Sequence, residues 1–139
     1  MDYTKQFEAT LKKLIDEFNN FAAVDTFKVN GALTLGENIG DLGGLNVSFN
    51  AFKNTDEYKN GESIDGFTPV QRFFLGYAQV WAENIRPEAA KLRLKTDVHS
   101  PARFRVLGPL MNLPEFFKAF DVKPGDPMRN SDDKLVKIW

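Results

Sequence analysis

Four glycines lie within nine residues, from Gly36 to Gly44, in a segment whose apolar spacing is otherwise typical of a helix. Each glycine in a helix interior costs roughly 1 kcal/mol relative to alanine. Glycines also remove the side chains that keep a neighbouring helix at a distance. The segment therefore predicts a helix that another helix approaches closely.

The rest of the chain also has apolar residues at helical intervals. Residues 4–20 form an amphipathic pattern, with Lys12, Lys13, Asp16 and Glu17 on its polar side. Thr68 and Pro69 have the residue types of a helix cap and first turn, and a further short helix is expected from Pro87 to near Thr96.

The C-terminal third predicts one more helix. Asn112 is expected to cap it, and its apolar face is phenylalanine-rich, formed by Leu113, Phe116, Phe117 and Phe120. Residues 54–66 and 97–112 are predicted to be irregular, and no strand pairing is expected. The fold class is therefore mainly α, with residues 1–139 as a single segment.

The charge balance and two residue counts exclude several function classes. Eighteen basic and 19 acidic residues give a formal net charge of −1, so no nucleic acid partner is expected. The absence of cysteine excludes a disulfide scaffold, thiolate zinc sites and thiol nucleophiles. With His99 as its one histidine, the chain cannot build a two-histidine metal site alone.

The start of the chain, Met1 to Lys5, has no apolar run of signal-peptide length, and no stretch approaches the roughly 20 apolar residues that a spanning helix needs. We therefore expect a soluble chain without a targeting segment. The sequence does not assign its cellular location.

Glu37 and Asp41 stand four residues apart, which puts both carboxylates on one face of a helix. The spacing favours a solvated acidic face, or a capping box in which Thr34 is the cap and Glu37 reaches back to it. The neighbouring glycines favour a second interpretation, in which one carboxylate binds a metal and the other orients another ligand.

His99 follows Asp97 and precedes Ser100 and Pro101, so it is expected in an extended or turn conformation. It is either a surface histidine without a role or part of an oxyanion site. In that site Asp97 would fix the imidazole, and His99 and Arg105 would present donors. Arg105 can equally be a structural ion-pair partner. Trp81 is expected in the core or on a cavity wall.

Several blocks follow one another along the chain: Val29–Leu45, Gln79–Val80–Trp81, Arg86–Pro87–Glu88, Lys95–Pro101, Phe104–Arg105–Val106 and the terminal Trp139. In this order and spacing they resemble the neprilysin family of zinc metalloendopeptidases. The resemblance implies the C-terminal helical portion of a thermolysin-like (gluzincin) metallopeptidase catalytic domain, acting on oligopeptides.

The resemblance also implies roles for single residues. In the family, zinc is held by two histidines of an H-E-x-x-H helix and by the glutamate of an E-x-x-x-D segment. Glu37 to Asp41 resembles that segment, with Gly40 where the family usually has alanine. Glu37 would then be the third zinc ligand, and Asp41 would orient a zinc-bound histidine.

The same resemblance places four further residues around the substrate. His99 resembles the histidine that stabilises the transition state. Arg105 resembles the arginine that binds a substrate backbone carbonyl. Trp81 and Val98 match positions that line the pocket for the side chain just after the scissile bond.

The sequence contains no H-E-x-x-H. We therefore expect zinc in the complete enzyme but none bound by this chain alone, no activity by itself, and an upstream part of the catalytic domain as its partner. The absence of cysteine favours a bacterial relative.

The alternative function is that of a metal-free helical interaction module derived from the peptidase tail, whose exposed apolar face would favour self-association.

Overall fold

The computed structural model describes residues 2–138, so Trp139, the last of the blocks named above, lies outside them. The described part is mainly helical, as predicted. Two short strands, β1 (Ala22–Val24) and β2 (Phe27–Lys28), pair antiparallel. The helices are α1 (Tyr3–Asn19), α2 (Leu35–Phe52), α3 (Asp56–Asn60), α4 (Pro69–Val80), α5 (Pro87–Thr96), α6 (Ala102–Leu110) and α7 (Pro114–Phe120).

The start of α4, which depends on local capping, was predicted correctly. The Thr68 hydroxyl accepts a hydrogen bond from the backbone N–H of Gln71, and the Gln71 side chain accepts one from the backbone N–H of Thr68. Pro69 occupies the first position of α4. A backbone N–H at this position would have no acceptor within the helix, so proline costs no hydrogen bond there. The predicted bounds of α5 are confirmed as well.

Three predictions of where helices and strands lie were wrong. Strands β1 and β2 form a hairpin where no pairing was expected, and α3 lies inside the predicted 54–66 loop, where the Thr55 hydroxyl accepts from Tyr58 N–H. The predicted irregular stretch contains α6, which begins directly after Pro101. A proline just before a helix removes no helical N–H bond, because that position has none. Pro101 is therefore compatible with the start of α6.

Asn112 does not cap the last helix, because the residue at the cap of α7 is Leu113. Asn112 is instead buried, and its side-chain amide donates to Glu17 Oε2 at 2.8 Å and to the Gly108 carbonyl at 3.0 Å. Its Oδ1 accepts from the backbone N–H of Val136 at 2.9 Å. Asn112 thus ties the C-terminal segment to α1 and α6.

Helix α2 contributes to both apolar clusters of the core. One cluster lies between α2, α4 and α7 and consists of Leu45, Phe49, Phe74, Leu110, Leu113, Phe116 and Phe117. The other lies between α1, α2 and α6 and consists of Leu14, Phe18, Val29, Leu42, Phe104 and Val136. Gly108 lets α6 approach α1, since a Cβ there would lie 2.4 Å from the Phe18 ring.

The opposite side of α2 is open. A Cβ built at Gly36, Gly40 or Gly44 would meet no side chain and no other element within 4 Å. Gly40 and Gly44 face a shallow groove that Gly76 and Val80 of α4 complete, and these four residues are called the glycine face below. Within the described residues, the close helix contact expected at these glycines is therefore not made.

No helix of the described part combines the length and the apolarity needed to cross a membrane.

The polar side predicted for α1 is not fully solvated, because Glu17 turns towards Asn112. Burial raises the pKa of the Glu17 carboxyl to about 7, although the Asn112 amide opposes this shift. The folded chain therefore holds the Glu17 proton more tightly than the unfolded chain does.

This pKa makes stability pH-dependent. Since the folded-state pKa exceeds the unfolded value of 4.5, the contribution of Glu17 is present below pH 4.5 and is lost as pH rises through about 7. We expect the free energy of unfolding to fall by up to about 3 kcal/mol over this range, measured by urea titration. Glu17→Gln should flatten the curve, whereas Glu8→Gln, on an exposed position of α1, should not. An unchanged curve for Glu17→Gln would contradict this assignment.

Candidate active site

The first two turns of α2 carry the acidic pair towards the segment that precedes α6. Glu37 lies in the first turn of α2 and Asp41 one turn later. The capping box considered for Thr34 is not formed, because the Thr34 side chain makes no capping bond and its hydroxyl accepts from Asn38 Nδ2 at 2.9 Å. The Glu37 carboxylate is therefore turned towards other partners.

A buried hydrogen bond fixes the histidine segment against α2. The Ser100 hydroxyl donates to Asn38 Oδ1 at 2.7 Å, and both side chains are buried. The two residues are 62 positions apart in the chain. This bond sets where His99, the residue before Ser100, can place its ring.

The His99 ring lies between two carboxylates. Nδ1 is 2.8 Å from Asp97 Oδ1, which also accepts the backbone N–H of His99 at 2.9 Å. On the other edge, Nε2 is 3.2 Å from Glu37 Oε2. The backbone and side-chain bonds from His99 lower the pKa of Asp97. Asp97 is thus held as an anion that orients the ring.

Arg105 forms the most buried ion pair of the site. Its Nε and Nη2 donate to Asp41 Oδ2 and Oδ1, each at 2.7 Å, and the two side chains are only 16% and 10% exposed. The guanidinium carbon lies 4.0 Å from the centre of the Trp81 ring, and Nη2 lies 3.8 Å from Glu37 Oε2. The bond to Asp41 raises the pKa of Arg105. The structural ion pair considered for Arg105 is therefore present, in the bidentate geometry that arginine favours.

A cavity of about 240 Å³ opens beside these residues. Trp81, His99 and Arg105 line one part of it, and its apolar wall consists of Ile85, Ala90, Leu94, Pro101 and Ala102. Such a lining suits an apolar side chain held next to donors. Trp81 therefore lies on a cavity wall, whereas Val98 is 48% exposed and outside this lining.

A zinc ion needs more ligands than this segment brings together. In residues 2–138 no group of three or more histidine, aspartate or glutamate side chains is arranged to hold a metal ion. Both carboxylate oxygens of Asp41 accept hydrogen bonds from Arg105. Glu37, in contrast, is partly exposed and can turn a carboxylate oxygen outward. The residues present thus fit one ligand position of a catalytic zinc site, not a whole site.

Two supporting residues, Asn38 and Ser100, were not singled out from the sequence. A signal for Asn38 was available, because it lies four residues before Leu42 and seven before Leu45 on the apolar face of α2. A polar residue on such a face needs a buried partner. Nothing in the sequence identified Ser100 as that partner.

The family model described as "Peptidase family M13" matches residues 2–136. Membrane metallo-endopeptidase-like 1 of Mus musculus is 41% identical over 141 residues, which cover 97% of this chain and 18% of the relative. Endothelin-converting enzyme 1 of Homo sapiens is 43% identical over 137 residues, covering 96% and 17%. The chain thus spans less than a fifth of the length of these curated relatives.

Solved structures agree with this match. The Mycobacterium tuberculosis zinc metalloprotease Zmp1 in complex with an inhibitor superposes with a TM-score of 0.82 at 37% identity, covering 97% of this chain and 22% of that chain. PepO from Lactobacillus rhamnosis HN001 gives a TM-score of 0.81 at 34% identity, covering 98% and 20%. At these identities the likeness extends to the sequence as well as to the fold.

Proposed function

Because the chain belongs to peptidase family M13, whose members are zinc metallopeptidases, we propose that it supplies part of the active site of a metalloendopeptidase that hydrolyses oligopeptides. One observation carries the proposal. Glu37, Asp41, His99 and Arg105 converge on one short stretch of α2, with Glu37 Oε2 lying 3.2 Å from His99 Nε2 and 3.8 Å from Arg105 Nη2.

Glu37 would provide one carboxylate ligand to zinc. When bound in such a site, the ion activates a water and polarises the scissile carbonyl. Asp41 would orient a histidine ligand from the upstream part while keeping Arg105 in place. The bidentate Asp41–Arg105 bond supports this role, because it holds Asp41 beside Glu37 on the same face of α2.

His99 would donate a hydrogen bond to the carbonyl oxygen as negative charge develops there. Asp97 holds Nδ1, which leaves Nε2 directed at the Glu37 side of the site. A donor fixed in advance stabilises a developing oxyanion more than water does, since it needs no reorganisation. Arg105 would donate to a substrate backbone carbonyl, and Trp81 and Val98 would contact the side chain that follows the scissile bond.

The upstream part of the catalytic domain would pack on the glycine face. The open space at Gly40, Gly44 and Gly76 supports this placement, because a helix backbone can approach there without meeting a Cβ. Val80 on this face is 75% exposed, and Val47 one turn beyond Gly44 is 64% exposed. Covering these side chains would remove apolar surface from water.

The same exposed face favours a second candidate, a metal-free helical interaction module that associates through it. The two candidates differ in what they need. The peptidase needs an H-E-x-x-H segment and zinc, and the interaction module needs neither. Light scattering on the chain alone would detect self-association.

Complementation tests the proposal. The chain is co-expressed with the upstream catalytic part of an M13 relative that carries H-E-x-x-H, and the complex is assayed for bound zinc and for oligopeptide hydrolysis. We expect one zinc per complex and hydrolysis that a chelator abolishes. A zinc-loaded complex without hydrolysis would contradict the proposal.

A matched pair of variants tests the docking face. Gly44→Leu should prevent complementation without unfolding the chain, since its side chain points into open space and leucine favours a helix. Asn50→Leu, on an exposed position of α2 outside this face, should complement normally.

A further inference from the structure

Pro109 leaves one carbonyl of α6 without its helical partner. In an α-helix the N–H of each residue bonds to the carbonyl four residues earlier, and proline has no N–H. The carbonyl affected by Pro109 is that of Arg105, inside α6. Pro109 itself is buried, so water has little access to this turn.

The Tyr77 hydroxyl replaces the missing donor. Tyr77 Oη donates to the Arg105 carbonyl at 2.7 Å, from α4 to α6. Burial, reinforced by the Asp41 carboxylate, raises the pKa of Tyr77, so the hydroxyl keeps its proton and remains a donor. A partly buried carbonyl without this bond would be costly.

The end of α4 therefore contacts Arg105 at two points. The Tyr77 hydroxyl binds its backbone carbonyl, and Trp81, four residues later, lies under its guanidinium. Asp41 holds the guanidinium from α2. The backbone of Arg105 and its side chain are thus each fixed by a neighbouring helix.

We propose that Tyr77 is a positioning residue for Arg105, which compensates for the N–H that Pro109 lacks. Its hydroxyl fixes the turn of α6 from which the guanidinium reaches Asp41 and Trp81. Only the consequence for catalysis rests on the proposed function of Arg105. The positioning itself belongs to this chain and can be measured without a substrate.

The test uses the chain alone and the NMR signal of the Arg105 side-chain Nε–H, identified by its loss in Arg105→Lys. In Tyr77→Phe this proton should exchange with solvent about tenfold faster, the effect of one net hydrogen bond. Pro109→Ala restores a backbone N–H at position 109. The double variant Tyr77→Phe/Pro109→Ala should therefore return the exchange rate towards that of the wild type.

Two controls separate positioning from general destabilisation. Tyr58→Phe removes the hydroxyl of an exposed tyrosine, and Pro114→Ala changes a proline at the first position of α7, where a helix needs no N–H. Neither should alter Arg105 exchange, and Pro114→Ala should not rescue Tyr77→Phe. If Pro109→Ala fails to fold, the exchange rate in Tyr77→Phe alone decides between positioning and no role.

The proposal is overturned if Arg105 Nε–H exchange is unchanged in Tyr77→Phe, or if a folded double variant is not rescued. In the complemented enzyme we expect Tyr77→Phe to raise KM more than it lowers kcat, and Pro109→Ala to reverse this. A complemented wild type without any hydrolysis would count against the proposed function and leave the exchange result intact.

Discussion

Replacing Glu37 with alanine should reduce hydrolysis by the complemented enzyme to background, together with its zinc content. The reason is that a catalytic zinc site uses few protein ligands, and Glu37 is the ligand proposed for this chain. The change should barely affect folding, because the Glu37 side chain is 42% exposed and substitutions at such positions usually change stability by less than about 0.5 kcal/mol. Zinc analysis, a peptide cleavage assay and thermal melting measure the three quantities.

Glu115→Ala is the matched control for this experiment. Glu115 also lies in the first turn of a helix, is 37% exposed, and forms one ion pair, with Lys53 at 3.3 Å. Its loss should leave both zinc content and hydrolysis unchanged. Hydrolysis that survives Glu37→Ala in a properly assembled complex would contradict the role proposed for Glu37.

Replacing His99 with alanine should lower kcat of the complemented enzyme by about 10²–10³-fold and change KM little. The donor acts on charge that is present only in the transition state, so ground-state binding loses little. His99 is 45% exposed, and its removal should therefore leave the melting temperature close to that of the wild type. Steady-state kinetics with an internally quenched oligopeptide separate kcat from KM.

Two further variants sharpen the interpretation of His99. His99→Gln keeps an N–H donor on a side chain of different shape and should retain part of kcat. Arg103→Ala removes an exposed cation four residues away and should keep kcat at the wild-type level. A His99→Ala enzyme with unchanged kcat would show that the ring does not act on the reacting carbonyl.

The elements predicted correctly are those that depend on local chemistry. Helix α4 has a capping box of Thr68 and Gln71, whose two bonds lie within four residues of chain. Helix α6 was not predicted, because Pro101 and Pro109 are residues that locally disfavour a helix. The bond from Tyr77, 28 residues away, satisfies the carbonyl that Pro109 leaves open. A long-range contact thus outweighs a local signal at this point.

The candidate site, like the helices, was predictable only where neighbouring residues determine it. The four-residue spacing placed Glu37 and Asp41 on one face of a helix, and the family resemblance assigned roles to His99 and Arg105. Neither the spacing nor the resemblance indicates which bonds hold these groups together. The Ser100–Asn38 and Arg105–Asp41 bonds join residues 62 and 64 positions apart. Their partners follow no periodicity, so local pattern does not reveal them.

The sequence by itself determined the helical class, the acidic face of α2 and the family to which the chain belongs. These follow from spacing, capping chemistry and residue order, which are properties of neighbouring residues. Only the tertiary structure decided that His99 lies between Asp97 and Glu37 and that Arg105 is held by Asp41, Trp81 and Tyr77. It also decided that Gly36, Gly40 and Gly44 of α2 face open space while Gly43 is buried, because whether a neighbouring element covers a glycine depends on how the whole chain packs.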